Sequence, residues 1–160
     1  APSKTFNLAG LVGSYHIIYN SWLRDRMEKE SSLCHYNEIN LMSMYALLGA
    51  YCEEGEEWVS EMRQVIGENA EFACAFIQEY FPGVKVSKPQ GTYMLFLDCT
   101  QCEKHGKTMD ELLDAGYEVG VLWQDGRAFH GAHSIRMNLA LPFSRVKEAF
   151  ERLREYVFCQ

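Results

Sequence analysis

The segment SKTFNLAGL, residues 3–11, carries a lysine at position 4 and a glycine at position 10, and only Ala1-Pro2 stands before it. Neither a helix nor a strand can form in that lead, and there is no initiating methionine or disposable tail. The segment therefore reads as the interior of a longer chain. Taken by composition alone, Lys4 is a solvated surface charge, although a lysine whose pKa is lowered by burial makes a good Schiff-base nucleophile.

Outward from this segment, the 160 residues are 48% hydrophobic and 13% aromatic, enough to bury a sizeable core in one domain of ordinary size. Lysine and arginine total 15 against 22 aspartate and glutamate, a net charge of -7. No basic stripe suits a phosphate backbone, so nucleic acid is disfavoured as a partner. The most apolar runs, such as Tyr93–Leu97, are far shorter than the roughly 20 residues that cross a bilayer, and neither a span nor a signal peptide is expected. Cysteines at 34, 52, 74, 99, 102 and 159 are scattered through apolar and helical contexts rather than set in short loops. That usage suits reduced, buried thiols and a cytoplasmic chain.

Residues 1–20 read as a loop feeding a short element and a strand at Tyr15, Ile17, Ile18 and Tyr19. Asn37 is placed to cap a helix over Glu38–Cys52, in which Leu41, Met44, Tyr45, Leu48 and Tyr51 recur at helical spacing. A longer helical pattern of roughly 25 residues starts near Glu56 and stops before Pro82-Gly83. The period then shortens to that of strands at Val84, Val86 and Tyr93–Leu97, separated by the turn Pro89-Gln90-Gly91. Thr108 and Glu111 form a capping box that starts a helix through Leu113. Strands are expected near Glu118–Leu122 and Ser134–Leu141, and Ser144 is placed to cap a final helix with Val146, Ala149, Phe150, Leu153 and Val157 on one face. The expected architecture is α/β, a mainly antiparallel sheet covered by helices on one face.

Three clusters have chemical potential. Cys99, Cys102 and His105 have a local spacing that zinc accepts, but a second ligand pair is missing, so the cysteines are read as structural and no metal is expected. His130 and His133 lie in the glycine-spaced loop Gly126–Gly131 and its continuation, a kind of loop that can line a site, although surface histidines are the simpler reading. Arg136 alternates with apolar residues in SIRMNLAL, residues 134–141. An arginine within a strand must meet an anion or reach solvent, and both a structural salt bridge and a bidentate clamp for a ligand carboxylate satisfy that need.

The opening segment together with Ser14-Tyr15 and Ile17-Ile18 resembles the lysine loop of class I/II, fold type I, pyridoxal-phosphate enzymes, and within them the MalY/PatB group of carbon–sulfur lyases that includes cystathionine β-lyase. Tyr51, Gly55-Glu56-Glu57-Trp58, Pro89–Tyr93 with Leu97-Asp98, Gly126–Gly131 and Arg136–Ala140 continue the resemblance in order along nearly the whole chain. It implies that Lys4 holds pyridoxal 5'-phosphate covalently and shuttles the substrate α-proton, that Ser3 neighbours the cofactor, and that Arg136 grips the substrate carboxylate. It also implies an amino-acid substrate, β-elimination across a carbon–sulfur bond with transamination as the alternative, and a homodimer.

Two departures accompany the resemblance. Many aminotransferases carry a phosphate-binding arginine eight residues after the lysine, where this chain has Val12. The MalY/PatB group lacks that arginine, which favours lyase chemistry. Members of the family are also about twice this length or more and place their other cofactor contacts ahead of the lysine. The resemblance therefore implies a C-terminal portion: residues 1–52 the remnant of a large cofactor domain, and 53–160 a long linking helix and small domain. A partner in the missing N-terminal half follows, as does the alternative of a non-catalytic module that is inactive alone.

Overall fold

A computed structural model describes residues 2–36, 38–104 and 106–158 of the chain, which divides into two units, residues 1–62 and 63–160. In the first, a single turn α1 (Pro2–Thr5) and a 3-10 turn (Ala9–Leu11) precede α2 (Ser21–Leu33) and α3 (Leu41–Ala50). Residues 14–20 are irregular, so the strand expected there does not form. Tyr15, Ile17 and Tyr19 are exposed and find no ladder partner.

The helix α2 had no counterpart in the hydrophobic pattern. Its residues are exposed apart from the half-buried Ser31, so no apolar stripe marks it. Asn20 starts it by accepting the Leu23 N–H at 3.0 Å. The next helix begins later than Glu38, because Asn40 is the cap and accepts the Ser43 N–H at 2.8 Å. The expected cap Asn37 lies outside the described residues.

Helix α4 (Glu53–Tyr80) starts with Glu53, Glu54 and Glu56 in its first turn, where carboxylates complement the helix dipole. Its first turns belong to the first unit and the rest to the second. The second unit continues with β1 (Lys85–Val86), β2 (Met94–Asp98), α5 (Thr100–Lys104), α6 (Met109–Glu118), β3 (Gln124–Asp125), β4 (Ser134–Asn138) and α7 (Phe143–Leu153), which ends in a widened turn over Arg154–Phe158.

The strands form one antiparallel sheet in the order β1-β2-β4-β3, with Leu95 opposite Met137, Phe96 opposite Arg136 and Leu97 opposite Ile135. Alternation sorts its faces. Leu95, Leu97, Ile135 and Met137 are buried against Ile77 of α4, Leu112 of α6, and Phe150 and Leu153 of α7. Phe81 stacks between Phe150 and Phe158, with ring centroids 5.7 and 4.2 Å away. The opposite face presents Phe96, Asp98, Arg136 and Asn138 at least partly to the surface. The mainly antiparallel sheet with helices on one face is thus as expected.

Two expectations for the second unit fail for local reasons. Glu118–Leu122 is not a strand: α6 runs to Glu118, and Gly120, at φ +76°, turns the chain so that its N–H reaches the Tyr117 carbonyl. Pairing resumes only at β3. The final helix is not capped by Ser144, which lies inside it; Pro142 occupies the cap position and makes no side-chain cap bond. By contrast, the capping box forms as read, with the Thr108 N–H donating to Glu111 Oε2 at 2.8 Å and the Glu111 N–H to Thr108 Oγ1 at 3.2 Å.

Candidate active site

In the first unit, α1 carries Ser3 and the exposed Lys4. Pro2 suits the first helical position, where its missing N–H costs nothing, and its carbonyl accepts the Phe6 N–H at 2.9 Å. The 3-10 turn that follows ends at Val12, whose φ of 55° is an outlier for a β-branched residue. Such a conformation persists only where neighbours over-determine it. Here they do: the Leu11 carbonyl accepts from Asn40 Nδ2 at 2.9 Å and from the Ser43 hydroxyl, and a Cβ on Gly13 would lie 3.0 Å from that of Ser43. Asn40 therefore caps α3 and tethers the lysine loop at once.

Phe6 packs edge-on to Tyr51 at 5.0 Å between centroids and stacks on Trp58 at 6.4 Å. The Tyr15 and Tyr51 hydroxyls are 3.1 Å apart. That hydrogen bond, with a smaller contribution from burial, raises the Tyr51 pKa. Residues distant in sequence, Phe6, Tyr15, Tyr51 and Trp58, thus form one aromatic group.

In the second unit, Arg136 sits mid-strand on the face away from the core and is half-buried. Its guanidinium carbon lies 4.3 Å from the centroid of the Phe129 ring. Among the described residues no carboxylate pairs with it; the arginine ion pairs involve Arg24, Arg127, Arg145 and Arg152. The structural salt bridge weighed for Arg136 is not found among the described residues.

Phe129 is held by the Gly126–Phe129 turn. Asp125 Oδ1 accepts the Arg127 N–H at 2.8 Å, and the Arg127 guanidinium bridges Asp125 and Asp110, at 2.8 and 2.6 Å. The Arg127 hydrogen bonds hold the Asp125 carboxyl below its ordinary range. His130 is exposed and left-handed at φ 62°, and His133 pairs with Glu103. Gly131 is required by close approach, since a Cβ there would lie 2.6 Å from Cζ of Phe96 and 2.8 Å from Cβ of Ser134.

Cys99 and Cys102 are buried free thiols, as is Cys74, and Cys102 falls in α5. Among the described residues no group of three His, Cys, Asp or Glu side chains is placed to hold a metal; His105 lies outside them. No helix among the described residues is long and apolar enough to cross a membrane.

Sequence reasoning singled out Ser3, Lys4 and Arg136 but passed over Asn40, Ser43 and Phe129. The only local signal for Asn40 was its spacing from Ser43, and Phe129 carried none.

An antiparallel sheet with helices on one face, preceded by a lysine-bearing loop, is the architecture of the C-terminal part of pyridoxal-phosphate-dependent aminotransferase-fold chains, and solved structures bear the likeness out. Cystalysin from Treponema denticola, which contains a pyridoxal 5'-phosphate cofactor, superposes with a TM-score of 0.84 at 29% identity over 98% of this chain and 40% of its own. The PLP-bound C-S lyase from Staphylococcus hominis does so with a TM-score of 0.79 at 26% identity, over 97% and 40%. The chain belongs to the aminotransferase class I and II family, whose sequence profile matches residues 2–153. Cystathionine beta-lyase PatB of Bacillus subtilis (strain 168) is 28% identical over 157 residues, and cystathionine beta-lyase of Corynebacterium glutamicum 29% over 154. The match takes in 96% of this chain and 40% of each of those relatives, so the chain spans less than half their length.

Proposed function

We propose that the chain is the C-terminal part of a pyridoxal-phosphate-dependent carbon–sulfur β-lyase acting on an amino acid. Lys4 is its Schiff-base lysine, Ser3 a cofactor neighbour, and Arg136 the clamp for the substrate carboxylate. The observation that carries this reading is the half-buried Arg136 guanidinium, which has no carboxylate partner among the described residues and faces away from the core.

The donor set fits the cofactor. An exposed lysine amine suits its aldehyde, the adjacent Ser3 hydroxyl suits its polar rim, and the loop bearing both is tethered through Leu11 to Asn40 and Ser43. When bound, pyridoxal phosphate supplies an electron sink for the charge left on the substrate α-carbon. Lys4 Nζ would hold the cofactor, and the same amine would take the α-proton as general base and return a proton as general acid. Arg136 binds the carboxylate through two parallel N–H···O bonds, which fix the substrate's orientation. Overall, the Cβ–S bond breaks, and water and substrate become a thiol, ammonia and a 2-oxo acid.

Transamination is the second reading, supported by a 28% identity over 160 residues to aspartate aminotransferase from Bacillus sp. (strain YM-2). Val12, standing where many aminotransferases have a phosphate-binding arginine, favours the lyase. A missing N-terminal half of the same polypeptide, a homodimer and a cytoplasmic setting complete the proposal; the exposed free thiols of Cys34 and Cys52 suit a reducing compartment. The competing alternative is a non-catalytic module, inactive alone.

The test is to mix the chain with pyridoxal phosphate, reduce with borohydride and map the adduct by peptide mass. Selective labelling of Lys4 is expected. Labelling scattered over the lysines, or a K4A variant labelled equally, would overturn the assignment. With N-terminal half supplied, pyruvate release from L-cystathionine without an added 2-oxo acid distinguishes lyase from aminotransferase.

A further inference from the structure

We infer that Phe129 is a positioning residue, whose ring face holds the Arg136 guanidinium so that the in-plane N–H edge stays open to a ligand carboxylate. The inference rests on the carboxylate reading of Arg136 above and adds to it how that arginine is made ready.

A guanidinium has two chemically different surfaces. Its flat faces are weakly hydrated and stack on aromatic rings, whereas its edge carries the N–H fork that matches a carboxylate. At 4.3 Å from the ring centroid, the Arg136 guanidinium carbon is well inside the range of cation–π attraction. The guanidinium carbon lies over the Phe129 ring, and among the described residues no carboxylate pairs with its N–H groups. An arginine held by a carboxylate would be spent; one held by a ring keeps its donors.

The ring is itself held from both sides in sequence. Before it, Arg127 binds Asp125 and, on α6, Asp110. After it, the Gly131 N–H donates to the Gly126 carbonyl at 3.0 Å and the Ser134 N–H to the Gly131 carbonyl at 3.2 Å, closing the loop onto β4. Gly131 packs against Phe96, the residue directly opposite Arg136 in the sheet, so the loop is seated on the same outer face. Flexible arginine side chains lose entropy when a ligand fixes them, and a ring already in place removes part of that cost. Bare Coulomb attraction needs none of this construction.

The measurement is an NMR titration of the 15N-arginine-labelled chain with acetate at constant ionic strength, following the Arg136 Nε–Hε signal. In the absence of acetate that signal is expected upfield of the other arginines through the ring current of Phe129. F129L keeps an apolar side chain but no π face, and is expected to weaken acetate binding at Arg136 by about 3- to 10-fold. F129Y is expected to restore it. Acetate binding unchanged in F129L would overturn the inference and leave the carboxylate reading standing. No acetate-dependent shift at Arg136 in the unsubstituted chain would remove the carboxylate reading, and the inference with it. Should F129L fail to fold, an Arg136 signal without the upfield displacement in the unsubstituted chain overturns the inference by itself.

Discussion

Asn69 of α4 donates through Nδ2 to the Leu139 carbonyl at 2.9 Å, joining the long helix to the chain that leaves β4. The same nitrogen reaches the Leu141 carbonyl at 2.9 Å, and the side chain is wholly buried. Its Oδ1 has no partner among the described residues, so the amide is kept for its two donors. N69L removes the amide donor from two carbonyls, of which Leu139 keeps the Leu141 N–H at 2.8 Å, and this loss outweighs relief of the orphan oxygen. A net loss of about 1–3 kcal/mol is expected in urea unfolding. An unchanged midpoint would show that water replaces the amide.

Gly116 sets up a contest between propensity and packing. Alanine is preferred to glycine within a helix by about 1 kcal/mol. A Cβ here, however, would run into the Trp123 indole, which is buried and anchored by Nε1 to the Leu113 carbonyl at 3.1 Å. Overpacking against a fixed ring costs about 1–3 kcal/mol, so G116A is expected to destabilise. Trp22 and Trp58 are exposed, so a red shift of the blue-most tryptophan emission reports Trp123.

The capping box yields a pH dependence of known sign. The Glu111 carboxyl is held below its ordinary range, first by the Thr108 backbone N–H and then by the Thr108 hydroxyl. A carboxyl whose folded pKa is depressed contributes stability that is present above its unfolded pKa and is lost as pH falls through the folded value. The stability difference between the unsubstituted chain and E111Q is therefore expected at neutral pH and should vanish on acidification through the glutamate range. T108A, which removes the cap oxygen, is expected to cost about 1 kcal/mol at neutral pH. An E111Q difference that grows towards acid would contradict the box.

Thiol labelling separates the cysteines. Cys34 and Cys52 are exposed and should react at once in the folded chain, whereas Cys74, Cys99 and Cys102 are buried and should wait for opening. Within the pair, the hydrogen bond from Cys99, aided by Lys107, lowers the Cys102 pKa, while that bond and burial raise Cys99. Peptide mapping should find Cys102 modified before Cys99 at every pH tried. The reverse order would count against a lowered pKa at Cys102.

The first unit buries little. Among the described residues from 2 to 62 only Pro2 and Ser43 are buried, while Leu41, Met42, Tyr45 and Leu48 of α3 are exposed. Apolar surface on this scale seeks cover, so the chain is expected to self-associate, less so in L41K/L48K. A clean monomer in sedimentation at high concentration would count against it.

Much of the fold was legible because its causes are local. Thr108 and Glu111 are three residues apart and satisfy each other; α4 and α7 announce themselves through apolar residues three and four apart. Helix α2 was not legible, because an exposed helix carries no apolar stripe. Ser144 misled because a cap is decided by backbone geometry, and Pro142 holds that place. Lys4 and Arg136 stood out as candidates by resemblance, yet neither the lack of a carboxylate beside Arg136 among the described residues nor the ring beneath it can be read from spacing.

By itself, then, the sequence determined the periods of α3, α4, α7, β2 and β4, the capping box and the family, all of which depend on residues within a few positions of one another or on motifs kept in order. Tertiary structure decided the rest: that Asn69 meets Leu139, that Asn40 and Ser43 take the Leu11 carbonyl, and that Phe129 covers Arg136. Those contacts form only when loop closure brings distant residues together, and in the second unit its entropic cost is repaid by burial of the whole core rather than by any one of the residues that meet.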